Sequence, residues 1–259
     1  MGRLLITSLI CICLLTGMFG LRFALRAALP RLAWIRSPKN LRERVMVRYQ
    51  GKNFDAWMFA WFKTGLDAMF HELPDFVRSM PTIRTFLDLG CGYGLAGCLL
   101  LEVLEGSTAY AVDPNPKRVA GTAAAMEERG HVFVAAAPDF EQPDFPPKFD
   151  AVFALDMIHF LNDQQLNLTL TRLRSRLNEG SFLIIRSPVA PVGPPSFRMQ
   201  IYSRYAKFKQ TFILFRSIED IRQLIRQSGF ELSLSSQSGK NPELHWFIAT
   251  AAPPDLQSR

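Results

Sequence analysis

Between residues 85 and 185, short apolar runs alternate with stretches whose apolar positions recur every three or four residues. The runs at 85–89, 109–112, 132–136, 151–155 and 182–185 predict strands, and the intervening 95–104, 116–129 and 164–177 predict helices. Pro116 stands at one helix start and Gly130 just past that helix's end. Strand and helix in alternation imply a parallel sheet covered on both faces.

Upstream, residues 52–73 place Phe54, Trp57, Met58, Trp61, Phe62, Leu66, Met69 and Phe70 at three- and four-residue spacings, which predicts one amphipathic helix. Such a stripe is first a core face; a lid over an apolar substrate is the second reading. The last third changes rhythm. A loop carrying Pro188, Pro191, Pro194 and Pro195 precedes a basic stretch at 198–209, and Ser217 to Asp220 has the spacing of a capping box. That helix ends near Gly229, and runs at 230–234 and 243–250 around SSQSGKNP predict a hairpin that adds an antiparallel pair.

The N-terminus has a pattern of its own. Residues 4–21 are eighteen positions without a charge, just enough for a helix crossing a hydrocarbon layer of about 30 Å. One Arg precedes the run, whereas Arg22, Arg26, Arg31, Arg36 and Lys39 follow it. Cations prefer the cytoplasmic side, so residues 1–45 are expected to form an inner-membrane anchor and a basic juxtamembrane segment, with the domain at 46–259 in the cytoplasm. A cleaved signal peptide wants its charges before the run and fits poorly. Translation starting at Met18 or Met46 would instead give a soluble cytoplasmic protein.

Charge sharpens this division. The formal net charge is +7, yet residues 1–45 hold eight basic groups and one acid, leaving 22 of each sign beyond them. The domain is neutral, which removes the electrostatic case for binding nucleic acid. Cys11, Cys13, Cys91 and Cys98 form no CxxC pair and have no histidine at zinc-ligand spacing, so a reducing compartment and no metal are expected.

The candidate chemistry sits where the first strand gives way to a helix, in Asp88-Leu-Gly-Cys-Gly-Tyr-Gly94. Gly90, Gly92 and Gly94 let the backbone turn tightly and approach a ligand. Asp113 ends the second strand, where a carboxylate reaches the hydroxyls of a ribose lying across the strand ends. Gly92 to Gly97 also satisfies GxGxxG, so an NAD(P)-dependent oxidoreductase is an alternative. Asp88 argues against it. A carboxylate at the loop mouth would repel a pyrophosphate and attract the ammonium of an amino acid.

From about Met46 to Thr250 the chain resembles the class I S-adenosylmethionine-dependent methyltransferases, on DLGCGYG, the Asp113 strand end, Ala137-Pro-Asp-Phe140, FDAVFALDMIHFL and LNEGSFLIIRSP. The resemblance implies a Rossmann-like, doubly wound sheet of seven strands in the order 3-2-1-4-5-7-6 with the seventh antiparallel. It implies that Asp88, Gly90, Cys91, Gly92 and Gly94 hold the methionine part of S-adenosylmethionine and that Asp113 with Pro114 holds the ribose. Asp139 and Phe140 would hold the adenine, and Leu155 would complete the cofactor wall. LDAMFHEL, VDPNP, LDMIHFL and ELHWF are further similar to methyltransferases of bacterial aryl-polyene pigment synthesis. That implies a phenolic or aryl-polyenoyl acceptor, small or lipid-like, free or on a carrier protein, met at the membrane.

Acceptor chemistry is expected beyond the fourth strand, at Asp156 to His159. Methyl transfer is an in-line displacement in which positioning supplies most of the catalysis, and a base is needed only for an acceptor that keeps its proton. His159 is the candidate base, because its ordinary pKa lies near neutrality; a histidine that merely hydrogen-bonds the backbone is the equal alternative. Asp156 is expected to shape the methionine pocket. His71 and His245 suit core or rim roles. Arg186, Arg198, Arg204, Lys207, Lys209 and Arg216 form an acid-free run that suits an anionic ligand, a carrier protein or a headgroup, and equally a solvated surface. A methyltransferase fold that binds without turnover is the second functional class.

Overall fold

The computed structural model describes residues 35–52 and 54–253. The expected anchor at 4–21, Cys11, Cys13 and most of the basic segment after the anchor lie outside the described residues. Among the described residues no helix is long and apolar enough to cross a membrane.

Three helices, α1 (Leu41–Val47), α2 (Phe54–Leu66) and α3 (Met69–Arg78), precede the sheet. There follow β1 (Thr85–Leu89), α4 (Leu95–Val103), β2 (Thr108–Asp113), α5 (Pro116–Met126), β3 (Gly130–Val134), β4 (Phe149–Leu155), α6 (Asp163–Ser175) and β5 (Leu177–Pro188). The chain closes with α7 (Phe197–Phe208), α8 (Ile218–Gln227), β6 (Phe230–Ser238) and β7 (Asn241–Ala251). The seven strands lie in the order 3-2-1-4-5-7-6; β1 to β5 pair in parallel and β7 runs antiparallel to both β5 and β6. This is the order and the reversal that the resemblance implied.

Both faces of the sheet are covered, as unbroken apolar strands require. Phe86, Ala109, Phe153 and Ile184 point to a core shared with α1 to α5, while Leu87, Val112, Val152 and Ile185 point to a second core under α6 and α8. β1 has the bounds that its apolar run predicted. Other elements shift at their ends, β3 starting at Gly130, two residues before its expected run, and three larger differences have a local reason.

The helix expected over 52–73 is two helices. The Asp67 carboxylate accepts the Met69 N–H at 3.0 Å and turns inward to Arg186, so it ends one helix and opens the next. Trp57, Met69 and Phe70 are buried as the core reading required, but Trp61, Phe62 and Leu66 are exposed. β5 is longer than its apolar run because Asn178 and Glu179, exposed and polar, still continue the strand, with Leu177 paired to Phe149. The hairpin also runs further than expected. Ser238 pairs with Asn241 across Gly239 and Lys240, and Gly239 sits at φ 56°, so a two-residue turn replaces the longer loop.

Candidate active site

The carboxyl ends of β1, β2 and β4 open on a cavity of about 530 Å³. Its wall includes Gly90, Cys91, Gly92, Asp113, Pro114, Leu155 and Asp156, seven of the residues singled out in the sequence. Open parallel sheets bind ligands at such strand ends, near the point where strand order reverses.

The glycine loop is shaped for close approach. Gly90, Gly92 and Gly94 all adopt positive φ, at 73°, 58° and 73°. A Cβ on Gly90 would lie 2.8 Å from the Met157 Cβ, whereas one on Gly92 would meet no atom within 4 Å and would project into space left open beside the cavity wall. Asp113 ties the loop to β2: its carboxylate accepts the N–H of Gly92 at 3.0 Å and of Asn115 at 2.9 Å. It is almost wholly buried yet borders the cavity.

Asp88 lies elsewhere than the charge argument put it. It is 2% exposed, beneath the loop, and accepts the Gly97 N–H in the first turn of α4 at 3.1 Å. Burial pushes its carboxyl up to about 7, against the pull of that hydrogen bond. With its carboxylate turned to the Gly97 N–H, Asp88 is not the free acid at the loop mouth that the charge argument required.

The side of the cavity facing α2 rests on a buried ion cluster that the sequence did not reveal. Arg186 on β5 grips two carboxylates at once, Asp67 at 2.5 and 2.7 Å and Asp156 at 2.8 and 2.5 Å. Lys63, on α2, bridges the same pair at 2.7 and 2.9 Å. Burial pushes both carboxyls up, but the charges and hydrogen bonds of Arg186 and Lys63 prevail and hold them below the usual carboxylate range. Burial likewise pulls Lys63 down, and the two carboxylates more than restore it, so it stays an ammonium. The cluster also holds Asp156 at φ 55°, a strained conformation for a residue with a Cβ. Lys63 and Asp156 both line the cavity, beside Phe59, Tyr93, Met157 and Phe160.

Comparison with known proteins agrees with this geometry. Residues 87–183 match the model of a family described as a methyltransferase domain. That span runs from β1 into β5, so the chain is similar to a methyltransferase domain over the part of the sheet that frames the cavity. Among solved structures, the pyocyanin biosynthetic protein PhzM shares 17% identity at a TM-score of 0.59, with 93% of this chain and 67% of that one covered. A putative methyltransferase in complex with the Haloferax volcanii Trm112 activator gives 16% and 0.59, covering 78% of this chain and 98% of that one. The mitomycin 7-O-methyltransferase MmcR gives 13% and 0.58, and this chain spans only 59% of its length. No curated protein sequence matches significantly.

Besides Asp88 and Gly94, three residues singled out in the sequence, Asp139, Phe140 and His159, stand away from the cavity wall. Asp139 is exposed and paired with Arg172 at 2.7 Å, and Phe140 is fully buried among Phe145 and its neighbours. The wall after β3 consists instead of Ala135, Ala136, Ala137 and Pro138. His159 is 2% exposed, and its Nε2 meets the Tyr202 hydroxyl of α7 at 2.7 Å. Burial pulls its pKa down to about 4. The turn at Ile158–Phe160 rotates His159 into the protein and presents Phe160 to the cavity. His245 is buried against Ser235 at 2.9 Å, and His71 is exposed.

The basic run also divides. Arg186 belongs to the ion cluster, and Arg216 is buried against Asp163 and the carbonyls of Ile158 and Leu161. Among the described residues no group of His, Cys, Asp or Glu is arranged to hold a metal ion.

His159 as found here should act on stability. A neutral buried histidine favours the fold fully above its unfolded pKa of about 6.5, and that contribution falls as pH drops towards 4, because only the unfolded chain takes up the proton. Replacing it by Ala leaves the Tyr202 hydroxyl unpaired and should cost about 1–3 kcal/mol in chemical denaturation, with cofactor affinity nearly unchanged. The pH profile of turnover should carry no limb near 6.5 that vanishes in this variant.

Proposed function

We propose that this methyltransferase transfers the methyl group of S-adenosylmethionine to a small, largely apolar and aromatic acceptor. The observation that carries the reading is one cavity bounded on one side by the glycine loop and Asp113, and on another by Phe59, Met157, Phe160 and the Lys63–Asp156 pair.

The residues present fit the cofactor. The Gly92 backbone offers space that any side chain would fill, and the Asp113 carboxylate at the end of β2 suits two ribose hydroxyls. The small side chains of Ala135 to Pro138, in place of Asp139 and Phe140, suit the flat face of adenine. S-adenosylmethionine supplies an already activated methyl group. The protein's task is to exclude water and hold the acceptor oxygen, nitrogen or carbon in line. Asp156 can accept a hydrogen bond from an acceptor hydroxyl, and Lys63 beside it favours a developing oxyanion. Neither is a strong base, since the carboxyl is held low and the ammonium high, so an acceptor acidic enough to ionise by itself suits this site best.

A phenolic or aryl-polyenoyl acceptor, free or carrier-bound, agrees with the aromatic lining. An N-terminal inner-membrane anchor would bring the domain to such acceptors. MmcR, whose fold this chain resembles, is by its name a methyltransferase of a small molecule, mitomycin. The test incubates the purified full chain with methyl-labelled S-adenosylmethionine and a panel of phenols and aryl-polyene acids, then identifies labelled products by mass spectrometry. Label in an aromatic acceptor is the expected result. Tight cofactor binding with no product from that panel or from cell extract would favour the binding module instead.

A further inference from the structure

α7 has two unlike faces. Met199 and Ala206 are buried, and Ser196 caps the helix by accepting the Met199 N–H at 3.2 Å. On the opposite side Phe197, Ile201, Tyr205 and Phe208 recur at four- and three-residue spacing, within an arc of about 80° at 100° per residue. Phe197 is 77% and Phe208 80% exposed, and Phe212 beyond the helix and Val192 before it extend the apolar surface. Soluble surfaces scatter such side chains singly; a contiguous row of large aromatics marks a contact.

The charges around the row say with what. Arg198, Arg204 and Lys207 are exposed beside it, and among the described residues none of them meets a carboxylate. Lys209 lies over the Tyr205 and Phe208 rings at about 6 Å. Glu243, the acid that touches the start of this helix, is buried and occupied by Ser196. Aromatic side chains on one stripe with cations on its flanks are the pattern of a helix lying in an anionic bilayer interface.

We propose that α7 and its flanking loops are a docking surface for an anionic lipid bilayer, separate from the apolar run at 4–21. The inference goes beyond methyl transfer and does not rest on it. Its consequence for the site is one of position. Thr211, three residues past α7, lines the cavity, and Leu214 binds the His159 carbonyl at 2.8 Å, so a docked α7 brings the cavity to the lipid surface.

The test uses the full chain with Cys11→Ser and Cys13→Ser, in which Cys91 and Cys98 are buried, and carries an environment-sensitive fluorophore at Phe208→Cys or, separately, Phe197→Cys. Vesicles of phosphatidylcholine with phosphatidylglycerol should shift both probes to the blue, and phosphatidylcholine alone much less. Each surface cation contributes roughly fivefold to partitioning, so Arg204→Glu with Lys207→Glu should weaken the probe response more than about twentyfold. Circular dichroism should find that double variant folded, since both residues are exposed.

Vesicle binding without a probe shift would overturn the proposal, leaving the N-terminal run as the sole contact. A shift that appears with protein concentration in the absence of vesicles would assign the stripe to a second copy of the chain. A shift produced by an acidic carrier protein but not by vesicles would assign it to that partner.

Discussion

Exchanging Arg186 for Met should lower the unfolding free energy by about 3–5 kcal/mol, the usual cost of removing one partner from a buried ion pair. The size follows from what is left behind. Asp67 and Asp156, both largely buried, would share a single ammonium, Lys63, once the fully buried Arg186 guanidinium between them is gone. In the wild-type protein both carboxyls are held low, so their contribution is present above the unfolded value of about 4 and is lost only as pH falls below it. Without Arg186 burial prevails, the carboxyls rise, and protonation relieves the repulsion. The gap between variant and wild type should therefore narrow as pH drops towards 4, and Asp67→Asn added to Arg186→Met should recover part of the loss. Denaturant titrations at several pH values measure all three. An Arg186→Met protein as stable as wild type would mean that the cluster carries no net stabilisation.

Asp113→Ala should weaken S-adenosylmethionine binding roughly 10- to 150-fold, the 1.5–3 kcal/mol expected for hydrogen bonds to a charged group. Two effects add in that number. In the proposed reading the carboxylate holds the ribose, and it also fixes the glycine loop through the Gly92 N–H. Asp113→Asn separates them, because the amide oxygen can still accept from Gly92 while the charge is gone. Its affinity should fall between the other two. Calorimetry with S-adenosylmethionine and with NAD measures the series, and tight NAD binding or unchanged affinity in Asp113→Ala would overturn the assignment of this pocket.

The sequence spoke most clearly where structure depends on neighbours along the chain. β1 was bounded correctly because Phe86, Leu87 and Leu89 are buried and apolar around Asp88, and the glycine loop that follows ends the strand. The capping box at Ser217 and Asp220 was legible because it spans only four residues. Asp113 followed from its place at a strand end.

The ion cluster was not legible in the same way. Asp67 and Arg186 are 119 residues apart, and neither spacing nor composition signals that a surface-like lysine, an aspartate after a helix and an arginine in a basic run converge. His159 was legible only as a choice between two roles: the strand end was visible, but the short turn that rotates the ring towards Tyr202 depends on α7, supplied by a distant stretch. The break at Asp67 inside an even aromatic stripe was hidden because the residue that pulls it inward lies on β5.

The cluster also divides the acceptor wall into parts with different freedom to change. Phe59 sits one helical turn before Lys63 on α2 and touches the cavity without belonging to the charge network. Exchanging it alters the shape presented to an acceptor and leaves the strands undisturbed. Lys63 and Asp67 have no such licence, since either change is felt at the ends of β4 and β5 together. Diversification towards new acceptors is thus channelled through the aromatic positions, while the ionic ones keep the scaffold in register.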